Sequence, residues 1–419
     1  MSVKFGVIGT SDITDRFLAG AKLESRFELA AVYSRSYERG KSFADKYGIK
    51  EVFTDFEAMT KSLDAVYIAS PNSCHAEQAI YFMERGVHVL CEKPLCSNAM
   101  EARRLIKTAK ENGVLLMEAM ISTLNPNYLA LRDNISKIGW VRKYFSSYCQ
   151  YSSRYDRYKA GVIENAFKKE LSGGALLDIG VYTIYPMVVL FGKPKSIKAL
   201  GEILASGVDG AGAAIFEYDG MEAIVNYSKI SDSYALTEVQ GEEGCLVMEK
   251  INIPRHLWFI PRKGEKQELS ALHCGDDYYY EIKDFIDLIE SGKTEHPINS
   301  HENSLIVMEI MDEIRRQIGL VYPADKQNSL KMHYLIITAD DVSNLNQFQK
   351  IFVEIDEKGV VKREIGFDFD NHIIHAYPSK KHSYGRYGIF DLSAFDVSTI
   401  RDSQLQREEF EETWEQAFQ

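Results

Sequence analysis

The sequence predicts an α/β chain with three parts: a doubly wound parallel sheet over residues 1–122, an α+β domain with an open, mostly antiparallel sheet over 123–326, and a small appended α+β domain over 327–419. Three observations support this division. Over roughly the first 120 residues, apolar runs of strand length alternate with runs of helix length on short connections, as in a parallel sheet covered on both faces. From 140 to 250, strand-like runs dominate, as in antiparallel pairing. Beyond 326 come short strand-like runs and one acidic amphipathic stretch over 403–418, with Leu405, Phe410, Trp414 and Phe418 on one stripe.

The opening residues form a βαβ unit. An apolar run over 5–8 ends at Gly9, a polar turn follows at Thr10, Ser11 and Asp12, and a helix is predicted from Ile13 to position 19. A second apolar run over 29–33 ends at Ser34-Arg35-Ser36. Strand, tight turn, helix and strand make the entrance of a Rossmann dinucleotide site, where free N–H groups of a helix N-terminus face a pyrophosphate. The glycine fingerprint is reduced here to Gly9, Ser11 and Thr14. The acidic residue that would hold a ribose 2′-hydroxyl is missing after the second strand, and Arg35 stands in its place. A guanidinium suits a 2′-phosphate, so the expected cofactor is NADP, with NAD as the alternative.

The alternation continues with a helix over 37–47, a strand over 63–69, a helix over 74–85, a strand over 87–91, a helix over 99–112 and a strand over 114–117. The strand ends deliver Ser70-Pro71-Asn72 and Glu92-Lys93-Pro94 to the edge that carries Gly9 and Arg35, the edge where open α/β sheets bind ligands. Further strands are predicted near 140–152, 197–204, 212–218, 221–228, 235–241 and 245–250, and amphipathic helices over 278–291 and 304–318. In the tail, strands are expected over 333–338, 349–355, 360–367, 373–377 and 387–390, with a hairpin turn at 357–359.

Composition excludes several function classes. A net charge of −12 disfavours a nucleic-acid or anionic-membrane partner, no apolar run reads as long enough to span a membrane, and no signal peptide opens the chain. The six cysteines form no C-x-x-C pair, which fits a reduced, cytoplasmic setting and no zinc site. Asp368, Asp370, His372, His375 and His382 sketch a metal cluster but read as turn and surface positions, so no metal is expected.

Taken together, A-S-P-N-S-C-H-A-E-Q-A from Ala69, V-H-V-L-C-E-K-P-L from Val87, L-M-E-A from Leu116 and G-G-A-L-L-D-I-G-V-Y from Gly173 resemble the Gfo/Idh/MocA oxidoreductase family, in its dihydrodiol and NADP-dependent xylose dehydrogenase branch, over roughly residues 1–325. The resemblance implies that Lys93 is the catalytic lysine, that Pro71, Asn72 and His75 line the nicotinamide and its ribose, and that Pro94 fixes a turn, as a cis bond in relatives. Many family members read D-x-x-x-H where this chain has Asp178 and Tyr182, four residues apart and so on one helix face. Tyr182 then serves as acid–base, with Lys93 as the cation that lowers its pKa and Asp178 orienting substrate or lysine. The implied reaction is hydride transfer between a hydroxyl of a sugar, polyol or cyclic diol and the nicotinamide of NADP, with a carbohydrate-like small molecule as partner. Arg154, Tyr155 and Arg157 match the region walling the substrate, and read equally well as a solvated loop. One sheet face pairs subunits in relatives, which implies a homodimer or homotetramer. Two departures stand out: Ser11 in the glycine turn, and Thr123-Leu124-Asn125-Pro126 where many relatives have an arginine and an aromatic before the proline. They leave room for an alternative, a catalytically weak NAD(P)-binding sensor whose appended domain binds a partner.

Overall fold

The computed structural model describes residues 2–327, 333–338, 347–355, 360–377 and 405–417. The chain divides into two compact units, Met1–Lys326 and Gln327–Gln419.

In the first unit, β1 (Val3–Ile8), β2 (Phe27–Tyr33), β3 (Glu51–Phe53), β4 (Ala65–Ile68), β5 (His88–Glu92) and β6 (Leu116–Ala119) form a parallel sheet in the order β3-β2-β1-β4-β5-β6. The order reverses between β1 and β4, which opens a crevice beyond their carboxyl ends. Local chemistry sets the helix ends. Ser36 accepts the Arg39 N–H to start Tyr37–Tyr47, and Gly48 stops it at φ +71°. Asn98 and Gly113 do the same for Ala99–Asn112. β3 and the short helix Phe56–Thr60 were not predicted; both are brief, with too little periodicity to read.

A second sheet contains β7 (Val141–Cys149), β8 (Ser196–Ile203), β9 (Asp209–Glu217), β10 (Glu222–Ser228), β11 (Thr237–Gly241), β12 (Gly244–Met248), β13 (Leu257–Pro261) and β14 (Gln267–Glu268). Its order is β14-β13-β12-β11-β7-β10-β9-β8, antiparallel except for the β7–β10 pair. That parallel pair requires a long crossover, and the chain between β7 and β8 supplies it with the buried helix Val181–Phe191. The segment Lys169–Phe191 corrects one expectation: it is long and apolar enough to cross a membrane, but 72% of its most apolar stretch is buried inside the fold as a core helix.

The chain then returns to the first sheet. Helix Tyr278–Glu290 buries Ile282, Phe285 and Ile286 among Phe5, Phe17 and Tyr67. It crosses Asp12–Ala21 so closely that a Cβ on Gly20 would lie 2.7 Å from the Tyr278 Cβ. His301–Ile318 packs on Ala99–Asn112 and on β8.

The second unit is an antiparallel meander of β15 (His333–Thr338), β16 (Lys350–Ile355), β17 (Val361–Phe367) and β18 (Ile373–Tyr377). Helix Arg407–Gln416 brings Phe410 onto Phe352, Ile365 and Phe367. Arg363 joins Glu354 to Glu411 and stacks 4.8 Å from the Phe410 ring centroid. The strand expected over 387–390, the turn at 357–359 and His382 lie outside the described residues. Asp368, Asp370 and His372 do cluster, but Asp368 Oδ1 is taken by the Asp370 and His372 N–H groups in a turn, and His375 pairs instead with the buried Glu364.

Candidate active site

Gly9 leaves β1 at φ +109°, and a Cβ there would lie 2.6 Å from the Ala69 carbonyl oxygen, so only glycine lets the two strand ends approach. Thr10, Ser11, Asp12 and Ile13 follow at the start of helix Asp12–Ala21. Ser11 is its N-cap residue and its hydroxyl makes no cap hydrogen bond. Thr14 instead ties the turn, donating to the Gly9 carbonyl at 3.0 Å. The helix thus presents unsatisfied N–H groups at the crevice, and the exposed Ser11 leaves room beside them. After β2, Ser34 accepts the Ser36 N–H, while Arg35 is exposed and free of hydrogen bonds and ion pairs among the described residues. These groups fit a phosphorylated dinucleotide.

At the end of β4, Ser70 bonds Gln78, and Asn72 reaches across to the Ser172 carbonyl. His75 departs from the expected ligand contact. It is 1% exposed, and its ring nitrogens sit 2.9 Å from the Pro94 and Ser70 carbonyls, so it bridges β4 to the β5 turn. Burial, with Lys93 assisting, lowers its pKa against the pull of the two carbonyls. Glu92 is a brace as well: it is buried and accepts from the Tyr67 hydroxyl and the Lys93 N–H. The Lys93–Pro94 bond is cis.

Lys93, delivered by β5, meets the segment that follows Gly173-Gly174. There the structure differs from the simple helix expected: Leu176–Gly180 is a π-helical turn ahead of the α-helix. Lys93 Nζ donates to the Asp178 carbonyl at 2.7 Å and to Asp178 Oδ1 at 3.2 Å, and lies 4.9 Å from the Tyr182 ring centroid. Both predicted partners therefore flank one ammonium. The expected lowering of the Tyr182 pKa does not appear. Burial, then Glu92, Tyr148 and Asp178, push its phenol up. Burial works against ionised Asp178 too, but Lys229 and Lys93 outweigh it and hold the carboxyl below the usual range.

Lys229 was not foreseen. It directly follows β10, is 5% exposed, and pairs with Asp178 Oδ2. Its signal was a lysine at the carboxyl end of an apolar strand, the same placement as Lys93. Glu281 was also missed: it is fully buried, both carboxylate oxygens are unpartnered among the described residues, and burial, then Glu92, raise it well above the carboxylate range. Tyr148 walls the site edge-on to Tyr182, their ring centroids 5.5 Å apart. Tyr155 packs on Phe167, which underlies Lys229 at 5.5 Å. Arg157 is drawn to Glu164 at 2.9 Å on an exposed face, as is Arg154 at 3.4 Å. Thr123, where many relatives carry the arginine, is buried and donates to Asn299 Oδ1.

The family model "Oxidoreductase family, NAD-binding Rossmann fold" matches residues 3–120, and "GFO/IDH/MocA C-terminal domain" matches 133–247. The chain is 50% identical over 326 residues to scyllo-inositol 2-dehydrogenase (NADP(+)) IolU of Bacillus subtilis, covering 77% of this chain and 99% of the relative. It is 29% identical over 342 residues to trans-1,2-dihydrobenzene-1,2-diol dehydrogenase of Xenopus tropicalis, covering 77% of this chain and 100% of the relative. Among solved structures, KijD10, a 3-ketoreductase from Actinomadura kijaniata in complex with NADP and TDP-benzene, superposes with TM-score 0.67 at 28% identity, over 76% of this chain and 98% of that one.

Proposed function

The chain belongs to the Gfo/Idh/MocA oxidoreductase family, and on that premise we propose that it is an NADP-dependent dehydrogenase acting on a hydroxyl of a sugar, polyol or cyclic diol. The observation that carries this reading is the meeting of Lys93, Asp178 and Tyr182 at the end of β5, on the same sheet edge as Gly9 and Arg35. The names of the relatives support the substrate class, an inositol and a dihydrodiol.

The helix that starts at Asp12 would hold the pyrophosphate, Arg35 the 2′-phosphate, and Pro71 and Asn72 the nicotinamide end. Bound there, NADP supplies the hydride acceptor, and NADPH the donor. Lys93 binds the reacting oxygen and keeps it beside Tyr182. Because its phenol is held protonated, Tyr182 donates a proton to the carbonyl oxygen during reduction. In oxidation the phenolate must accept the hydroxyl proton. Raising the pH therefore speeds oxidation, while reduction keeps its loaded proton donor. Tyr148 and the buried Phe167 restrict water around these groups. Leu200 and Ile215, exposed on one face of the second sheet, support a homodimer or homotetramer. The six free cysteines support a reduced, cytoplasmic setting.

The test is NADP reduction against a panel of aldoses, polyols and cyclic diols. Wild-type turnover that drops on the order of a hundredfold or more in Lys93→Ala and Tyr182→Phe supports the reading. Firm NADPH binding without turnover on any of these substrates refutes it in favour of a sensor.

A further inference from the structure

The strand ends of the second sheet grip the π-helical turn at two points. Asp209, at the start of β9, is buried, and its Oδ2 accepts the Leu176 N–H at 2.7 Å. Lys229, just past β10, pairs with Asp178 Oδ2, and its own N–H donates to the Gly210 carbonyl at 2.8 Å. Asp178 thus lies between two ammonium groups, Lys93 on Oδ1 and Lys229 on Oδ2. The side chain of Asp178 is 40% exposed, while those of Lys93 and Lys229 are 10% and 6% exposed. Among the described residues, the Lys229 ammonium hydrogen-bonds only to Asp178.

Charge counting gives this arrangement a consequence. A lone Lys93–Asp178 pair would be neutral, and the carboxylate would cancel the cation that has to face a substrate oxygen. With Lys229 on the second oxygen, the trio carries formal charge +1, and both ammonium groups are largely shielded from water, a setting in which a fixed charge acts strongly on a developing oxyanion. Tyr182 and Tyr148 stand on the open side, and Glu92 lies behind Lys93.

We propose that Lys229 is a positioning residue for hydride transfer: by occupying Asp178 Oδ2 it compensates that carboxylate, so that the Lys93 ammonium stays electropositive toward a hydroxyl oxygen becoming an alkoxide. This rests on the dehydrogenase reading above. A merely structural Lys229 would only pin the turn.

The experiment compares wild type with Lys229→Met and Lys229→Arg in kcat, KM, pH profile, NADPH binding by nicotinamide fluorescence, and melting temperature. In Lys229→Met, kcat falls on the order of tenfold to a hundredfold, less than for a donor touching the oxyanion, while KM and NADPH affinity hold within about threefold. The acid limb of the kcat profile for oxidation moves up, because removing a positive charge beside Tyr182 and the substrate hydroxyl makes their proton harder to lose. Lys229→Arg recovers most of kcat and returns the limb. If the methionine variant does not fold, Lys229→Gln, which keeps a donor without charge, takes its place with the same expectation. An active wild type whose charge-removing variants keep an unshifted acid limb overturns the proposal, whatever their melting temperatures. A wild type without turnover overturns the dehydrogenase reading and this proposal with it.

Discussion

Replacing Arg35 with alanine should separate the two nicotinamide cofactors. The residue follows β2, is exposed, and holds no hydrogen bond or ion pair among the described residues. Its removal strands no partner, so stability should change by less than about 0.5 kcal/mol. What it would lose is a charge-assisted, two-pronged contact with the 2′-phosphate, worth about 1.5–3 kcal/mol. At about 1.4 kcal/mol per factor of ten, NADPH affinity falls roughly 10- to 150-fold. NADH lacks that phosphate and should bind equally well to both proteins. Because the contact is exposed, the difference should shrink as salt shortens the Debye length to about 8 Å at 0.15 M. Fluorescence titration with each cofactor, at low and physiological salt, measures all of this. An alanine variant that binds NADPH as before, or loses NADH in parallel, would refute the placement of the phosphate.

Two further outcomes concern stability. Burial raises the Glu118 carboxyl to about 7, against the pull of Ser304, the Leu95 N–H and Lys93. With its folded pKa above the unfolded 4.5, its contribution is complete below pH 4.5 and is lost as pH rises toward 7, about 3 kcal/mol in all. Urea unfolding at pH 5 and pH 7.5 should show that loss in wild type and not in Glu118→Gln; equal pH dependence in both would be incompatible with it. In the second unit, Arg363→Met leaves Glu354, whose side chain is 7% exposed, without its cation. That should cost about 3 kcal/mol and raise amide exchange along β16 and β17, and undiminished protection would disprove the role given to Arg363.

Much of the first unit was legible because its signals are local. The helices Tyr37–Tyr47 and Ala99–Asn112 match the predicted spans, since Ser36, Gly48, Asn98 and Gly113 cap them from within a turn. The strand ends put Gly9, Arg35, Asn72 and Lys93 on one edge, because a parallel sheet leaves no other place for them. β13 and β14 were not read: they are short, and the second has only two residues, held by its neighbour rather than by its own pattern.

The residues themselves, through periodicity, caps and strand-end motifs, were enough to specify a dinucleotide-type sheet and a following open sheet, and the family resemblance singled out Lys93, Asp178 and Tyr182. Distant packing decided what surrounds those groups. Lys229 is 51 positions from Asp178, and only the pairing of β10 beside β7 and β9 brings it there. His75 turned inward because two carbonyls from separate loops converge on its ring, and Tyr182 stays protonated because neighbours from several elements bury it. Periodicity records which side of an element is apolar. It carries no record of which distant charge will stand against it, because that depends on loops closing over tens of residues and on the dielectric they enclose.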